Sequence, residues 1–257
     1  MLAVNSGTSG ELAKDVFFAY RGYRMNYYAV TAMLARVYCW AGEYGNAYKE
    51  AKEVVDATYS TGSTSTASCF NFSNSLTTNR KDYNSIIMTF FKSTCYEDYL
   101  PYMTKGNDVV LVVNTTNLFG DEAGADDRNL DLFGDWDGGD IKYSFKYDIK
   151  EGTSGTDMIP AIRFSEMYYI MGEYFAYKDE FSKAGEMLDK VRYARGISTT
   201  NLASSIGSLE VFHTHLIKEM RREFVGEGQM FFQYKRLDQK PKDNVVFVFD
   251  KPNNEDI

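Results

Sequence analysis

Between residues 24 and 56 the apolar positions recur at intervals of three and four, the spacing that lines up side chains along one face of a helix. The run NYYAVTAMLARVYCWA is apolar nearly all round, which predicts a helix buried between neighbours. The following NAYKEAKEVVD sets Ala47, Ala51, Val54 and Val55 on one face against Lys49, Glu50, Lys52 and Glu53 on the other. Gly42 stands between the two as a tight break, so the pattern predicts a helical hairpin.

The pattern returns 137 residues on, from Leu34 to Met171: Leu34, Ala35, Tyr38, Tyr44, Ala47, Ala51 and Val54 match Met171, Gly172, Phe175, Phe181, Ala184, Leu188 and Val191. A small residue, an aromatic three positions later and an alanine twelve positions later resemble the tetratricopeptide repeat, a helix-turn-helix unit. One hairpin cannot bury its own apolar faces, so the units must stack on each other or on further helices. A third helix is predicted at 208–224, where Leu209, Phe212, Leu216, Met220 and Phe224 keep helical spacing and Ser208 is placed to cap the first turn. Gly226 and Gly228 end it, and an aromatic segment with Met230, Phe231, Phe232 and Tyr234 follows. Glu219, Arg221, Arg222, Glu223 and Glu227 are expected to pair with one another rather than to carry chemistry.

Between the repeats, residues 57–158 lack helical period. TYSTGSTSTAS reads as loop, and SIIMTFF (85–91) and DVVLVV (108–113) read as short strands. The stretch GDEAGADDRNLDLFGDWDGGDIKYSFKYD is rich in Gly, Asp and aromatics and reads as irregular. The fold class expected is therefore mainly α, with tetratricopeptide-like hairpins and a long irregular insertion containing a few short strands. Residues 1–257 are expected to form one domain, with 24–56 and 162–237 as scaffold and 57–158 as the ligand face, since irregular segments held on a rigid scaffold are where ligands usually bind.

Composition narrows the function. A net charge of -8, with no basic cluster, argues against a nucleic-acid partner. No apolar run approaches the roughly 18 residues needed to cross a bilayer. Aromatics make up 16% of the chain, with 20 Tyr and 18 Phe, a surplus that fits helix packing or a wet binding face equally. Cys39, Cys69 and Cys95 form no C-x-x-C pair; Cys39 reads as a core residue, while Cys69 and Cys95 could pair in an oxidising compartment.

The run Glu219, Arg222, Glu223, Phe224, Glu227, Gly228, Phe231, Lys235, Arg236 resembles the C-terminal signature of the SusD/RagB family, departing from it at Met230, where the pattern often carries Arg. IRFSEMYYIMGEYFAYKDEF, the pairs Asp127–Arg128 and Lys146–Tyr147, and a closing strand followed by Pro252 and Glu255 are similar to further family motifs. The resemblance implies a non-catalytic, surface-exposed outer-membrane lipoprotein that binds oligosaccharide or polysaccharide and passes it to a SusC-like TonB-dependent transporter. It implies no cofactor. MLAVNSGTSGELAKD carries no export signal, so the resemblance also implies that a signal and lipid-bearing cysteine lie upstream, with further helical repeats on that side.

The candidate ligand residues are Trp136, Tyr96, Tyr99, Asp135 and Asp137. Trp136 in FGDWDGGD offers an aromatic plane to the apolar face of a sugar ring, with Asp135 and Asp137 beside it to take hydroxyls. The alternative for Trp136 is a ring folded onto the scaffold to anchor its loop. Tyr96 and Tyr99, with Tyr102, could extend the platform or simply pack. Asp135, Asp137 and Asp140 offer oxygen ligands of the kind Ca²⁺ prefers, but the spacing departs from the EF-hand and no Glu closes the loop, so no metal is assigned. His213 and His215, two apart on a helix, point in different directions and do not make a metal site. Two other readings stand beside glycan binding: a helical-repeat scaffold for protein partners, and a glycoside hydrolase, for which no carboxylate pair can be picked out.

Overall fold

In the computed structural model the described residues are 23–238, except 62–63, 74, 105–106, 108–109, 137 and 149–157, together with a strand at 247–249. Helix α1 (Tyr27–Trp40) opens at Asn26, whose side-chain oxygen accepts the Ala29 N–H at 3.0 Å. Helix α2 (Tyr44–Val55) follows a turn in which Gly42 takes φ +77°, a left-handed conformation that glycine adopts without penalty. Ala29, Ala32, Ala35 and Cys39 of α1 face Ala47, Ala51 and Val54 of α2 in one core. The expectation that α1 is buried all round is met on that face alone: Tyr27, Val30, Leu34, Val37 and Trp40 are exposed, because among the described residues no element covers the other side.

The segment after α2 is more ordered than its composition suggests. Strands β1 (Thr58–Ser60) and β2 (Thr66–Ser68) form a small antiparallel pair. Strand β3 (Ile86–Phe91) leads to α3 (Cys95–Tyr99), and β4 (Leu111–Asn114) to α4 (Thr115–Phe119) and α5 (Asp127–Leu132). Strands β5 (Phe133–Asp135) and β6 (Ile141–Ser144) form the next hairpin, and β7 (Met158–Arg163) returns antiparallel to β3, closing the neck of the insertion. The predicted strands are present, but the stretch read as irregular contains α5, β5 and β6. The pieces are too short to show a period, and side-chain capping starts them: Asp126 accepts the Arg128 N–H and Asn114 that of Asn117.

Strand β7 runs directly into α6 (Phe164–Ala176), which pairs with α7 (Phe181–Ala194). Helix α8 (Leu209–Glu223) starts at Ser208, whose hydroxyl accepts the Val211 N–H at 3.2 Å, as its sequence predicts. Gly226 and Gly228, at φ +74° and +71°, break the chain before α9 (Met230–Arg236). Strand β8 (Phe247–Phe249) pairs with β4, giving a sheet ordered β5-β6-β4-β8; of the predicted closing segment, Pro252 and Glu255 lie outside the described residues.

Helix α6 serves two cores. Phe164, Met167, Ile170 and Met171 pack with the first hairpin, while Tyr169 and Ala176 pack with α7 and α8 through Ala184, Leu188, Val191, Phe212, Leu216 and Met220. Gly172 permits a close α6–α8 approach, since a Cβ there would sit 3.1 Å from the Phe212 ring. Two face-to-face ring pairs, Tyr44–Tyr177 at 3.9 Å and Tyr48–Tyr174 at 4.3 Å, join the hairpins. A third core gathers Leu76, Val113, Leu118, Phe119, Leu132, Phe133 and Val225 beneath the insertion. Cys39, Cys69 and Cys95 are all buried, and no disulfide joins Cys69 to Cys95.

The repeat extends to the turn: Asp179, 137 residues after Gly42, also takes a left-handed φ, of +60°. A side chain in that region carries strain that glycine lacks. Asp179→Gly should therefore stabilise the chain by about 0.5–1 kcal/mol, raising the melting temperature by roughly 1–4 °C. Thermal unfolding followed by circular dichroism measures this, and a lower melting temperature would mean that the left-handed turn is unstrained.

Candidate ligand-binding face

The insertion is fastened to the scaffold by buried charge. From α8, Glu219, Arg222 and Glu223 are each at most 2% exposed. The Arg128 guanidinium, on α5, donates to Asp126 at 2.7 Å, Glu219 at 2.9 Å and Glu223 at 3.2 Å. Arg195 after α7 donates to Glu223 at 2.6 Å and lies 2.8 Å from the Asp82 carboxylate. Arg163, where β7 meets α6, donates to Glu227 at 2.6 Å, and Lys146 donates to the same carboxylate at 2.7 Å and to the Glu223 and Val225 carbonyls. Arg222 reaches the other way, to the Leu118 and Phe119 carbonyls and to Glu122 at 2.6 Å. Of the charges expected to pair with one another, Arg222 and Glu219 do so, at 2.9 Å; Glu223 and Glu227 pair instead with Arg128, Arg163, Arg195 and Lys146 from other segments, and among the described residues Nε and one Nη of Arg221 have no hydrogen-bond partner.

Burial alone would raise the pKa of Glu223, but Arg195, Arg163 and Arg128 overcome it and hold it well below the usual glutamate range. The Glu219 value is lowered in the same way, by Arg128, Arg222 and Arg192 against its own burial. Burial, with Arg163 close by, pushes Lys146 down despite its contact with Glu227.

On this mount sits a line of rings. The β5–β6 hairpin carries Trp136 just past β5, half-buried, with its ring edge-on to Tyr143 at 6.3 Å. Tyr143 is edge-on to Phe145 at 5.0 Å, and both rings lie across Gly134, where an added Cβ would meet Phe145 at 2.5 Å and Tyr143 at 2.8 Å. Asp135 is exposed, and one of its oxygens accepts the Gly138 N–H at 2.8 Å, bracing the turn around Trp136. Asp140 braces the other side, its backbone carbonyl accepting the Thr115 N–H at 2.9 Å and its carboxylate the Thr116 hydroxyl at 2.7 Å. Asp137 lies outside the described residues.

Tyr99 packs on Tyr147 at 4.9 Å, and burial, with Cys95 close by, pushes its hydroxyl up to about 12. Tyr147 is itself buried and donates its hydroxyl to the Gly226 carbonyl at 3.2 Å. Tyr96 is half-buried on α3. Trp136 and Tyr99 therefore belong to separate ring groups, joined through the segment from Tyr143 to Tyr147. Consecutive cations roof that segment: the Arg80 guanidinium lies 4.8 Å from the Phe145 ring centre, and the Lys81 ammonium 4.6 Å from that of Tyr147.

Sequence reasoning missed Phe90 and Phe91, whose rings at the end of β3 are 60% and 72% exposed, and it missed the parts played by Tyr143 and Gly134. The only signal for the first was two aromatics closing a strand-like run; Gly134 ahead of two alternating aromatics was the signal for the second. Among the described residues no group of three or more His, Cys, Asp or Glu side chains could hold a metal ion. His213 is buried and His215 half-buried, and burial lowers both imidazole values.

Three outcomes test the mount and the rings it carries. The charges on Glu219 and Glu223 contribute stability that is fully present above the ordinary value of 4.5 and is lost as pH falls through their depressed folded-state values. Denaturant midpoints measured from pH 7 to pH 3 should therefore fall, most steeply below about pH 4.5. Glu223→Gln leaves three buried guanidinium groups short of a counter-charge and should cost about 3–5 kcal/mol at pH 7; a loss below 1 kcal/mol would show that the cluster does not hold the insertion. Gly134→Ala should lift Tyr143 and Phe145 from the strand, destabilising by about 1–3 kcal/mol and shifting the fluorescence of Trp136.

The profile of the SusD family (SusD/RagB) matches residues 20–254. No curated protein matches. Among solved structures, a SusD superfamily protein from Bacteroides thetaiotaomicron VPI-5482 superposes with a TM-score of 0.64 at 22% identity, covering 90% of this chain and 55% of its own. A SusD superfamily protein from Bacteroides fragilis gives 0.61 at 17% identity, covering 90% and 53%. A SusD-like carbohydrate binding protein from Bacteroides vulgatus ATCC 8482 gives 0.58 at 21% identity, covering 84% and 46%. The chain thus shares their fold and spans about half the length of the structures it matches.

Proposed function

The chain belongs to the SusD family, and from that premise we propose that it binds an oligosaccharide or polysaccharide on the insertion, with no bond made or broken. The observation that carries the reading is Trp136: a half-exposed ring on a braced hairpin tip, backed by Tyr143 and flanked by exposed Asp135 and Asp140. Stacking against the apolar face of a sugar places its hydroxyls at the rim, where carboxylate oxygens accept them. The same proposal takes in Tyr96 and Tyr99, whose ring group is joined to that of Trp136 through the segment from Tyr143 to Tyr147, while Asp137, the remaining candidate, lies outside the described residues. Acting at the outer surface of the cell, held there by a lipid anchor, the protein would hand its ligand to a SusC-like TonB-dependent transporter. The carbohydrate-binding description of the Bacteroides vulgatus structure supports this reading.

Trp136→Ala tests it. Because the ring is half-exposed, folding should persist, while retention on a carbohydrate array or in affinity electrophoresis should weaken by at least about tenfold, equivalent to roughly 1.4 kcal/mol. Unchanged retention would move the site off this hairpin. A wild-type chain that retains no polysaccharide from a broad panel would favour the helical-scaffold reading instead.

A further inference from the structure

The insertion sorts its charges by sign. Among its described residues the cations Arg80, Lys81, Arg128 and Lys146 lie inside, at most 7% exposed. Arg128 and Lys146 are engaged by Glu219, Glu223 and Glu227, and Arg80 and Lys81 lie against the Phe145 and Tyr147 rings. The carboxylates lie outside. Of those described in the insertion only Asp82 and Asp126 are buried, whereas Glu97, Asp98, Asp121, Asp135 and Asp140 are exposed. Lys92 is the one fully exposed cation described there, and it pairs with Asp98 at 2.6 Å. The hairpin sequence 133–144 holds Asp135, Asp137 and Asp140 against a single cation, Lys142, which is half-buried and stands opposite Asp135 in the strand register.

This segregation has a structural cause. The scaffold presents Glu219, Glu223 and Glu227 as buried carboxylates, so cations of the insertion are drawn inward to meet them and most of its own carboxylates stay at the surface. The field over the insertion is therefore negative, and salt at physiological strength screens it only over distances beyond about 8 Å.

We infer that the ligand of this face is a neutral glycan, and that glycans bearing uronate or sulfate groups are excluded by charge. The inference rests on the reading of Trp136 as the stacking ring and adds the class of sugar that the ring accepts. Asp135 and Asp140 are held at the hairpin tip by the Gly138 N–H and the Thr116 hydroxyl. A neutral sugar stacked there donates hydroxyls to them, whereas an anionic one brings like charges together, which suppresses the wrong partner. The cations that a uronate or sulfate needs are out of its reach, because Arg80 and Lys81 are buried beside their rings.

The test titrates the chain with starch, β-1,4-galactan and mannan, each beside the same polymer oxidised at C6 to the uronate, at low and at high salt. At low salt the oxidised form of any retained polymer should bind at least about tenfold more weakly than its neutral parent, and high salt should narrow the gap. Asp135→Asn with Asp140→Asn keeps an acceptor for Gly138 and Thr116 and should also narrow that gap, by at least about threefold. Oxidised forms that bind as tightly as their parents, with binding lost in Trp136→Ala, would overturn the inference and leave the stacking site standing. A gap that neither salt nor the double substitution moves would overturn it too, since exclusion would then be steric. Retention of no polymer in either form, or retention that Trp136→Ala leaves unchanged, would instead remove the stacking site, and this inference with it.

Discussion

The charge cluster around Glu219 and Glu223 is the constraint on which the rest of the molecule depends. Helix α8 has two faces with different tasks: Phe212, Leu216 and Met220 enter the apolar core of the hairpin stack, while Glu219, Arg222 and Glu223 face the insertion. Removing so many charges from water is expensive, and well-packed apolar residues would serve stability as well or better. What charges add is geometry. An apolar patch accepts a sliding partner, whereas guanidinium-carboxylate contacts at 2.6–2.9 Å are lost with a small displacement. The insertion is thereby held in one position on the helices.

That position propagates to the ring face through a short stretch of chain. Phe145, Lys146 and Tyr147 are consecutive: Lys146 points into the cluster, while its neighbours join the two ring groups. Asp82, paired with Arg195, follows directly on Arg80 and Lys81, whose cations cover those same rings. Phe145 and Tyr147 are thus each one residue from a buried ion pair, Lys146 with Glu227. Binding by stacking benefits from such a mount, because side chains already held in place lose little freedom when a ligand arrives.

The helical scaffold was legible because its periods are long. Fourteen-residue helices such as α1 and α7 display their spacing several times over, and Ser208, Gly42 and the Gly226–Gly228 break mark ends by chemistry that acts locally. Helices α3 and α5, of five and six residues, show too little of any period to be read, and their partners are distant in sequence. Charged residues hid the cluster: nothing local to Arg128, Arg192 or Arg195 says that they are at most 1% exposed. On the ligand face, the tip position of Trp136 was legible from its Gly- and Asp-rich surroundings, whereas the packing of Tyr99 on Tyr147 needed the fold.

The two repeats also separate what a residue is from where it stands. Val30 and Met167 are both apolar, occupy the same register and belong to hairpins with the same turn, yet one is 46% exposed and the other fully buried. Periodicity records only that a face is apolar; cover depends on whether another element reaches it. An apolar stripe kept at five corresponding positions in both helices carries the same solvation penalty per unit of exposed area wherever it stands. In α6 burial under α2 removes most of that penalty, although Tyr177 stays 41% exposed, and in α1 the corresponding side chains, 41–67% exposed, bear much of it, so equal periodicity in two helices does not imply equal cover.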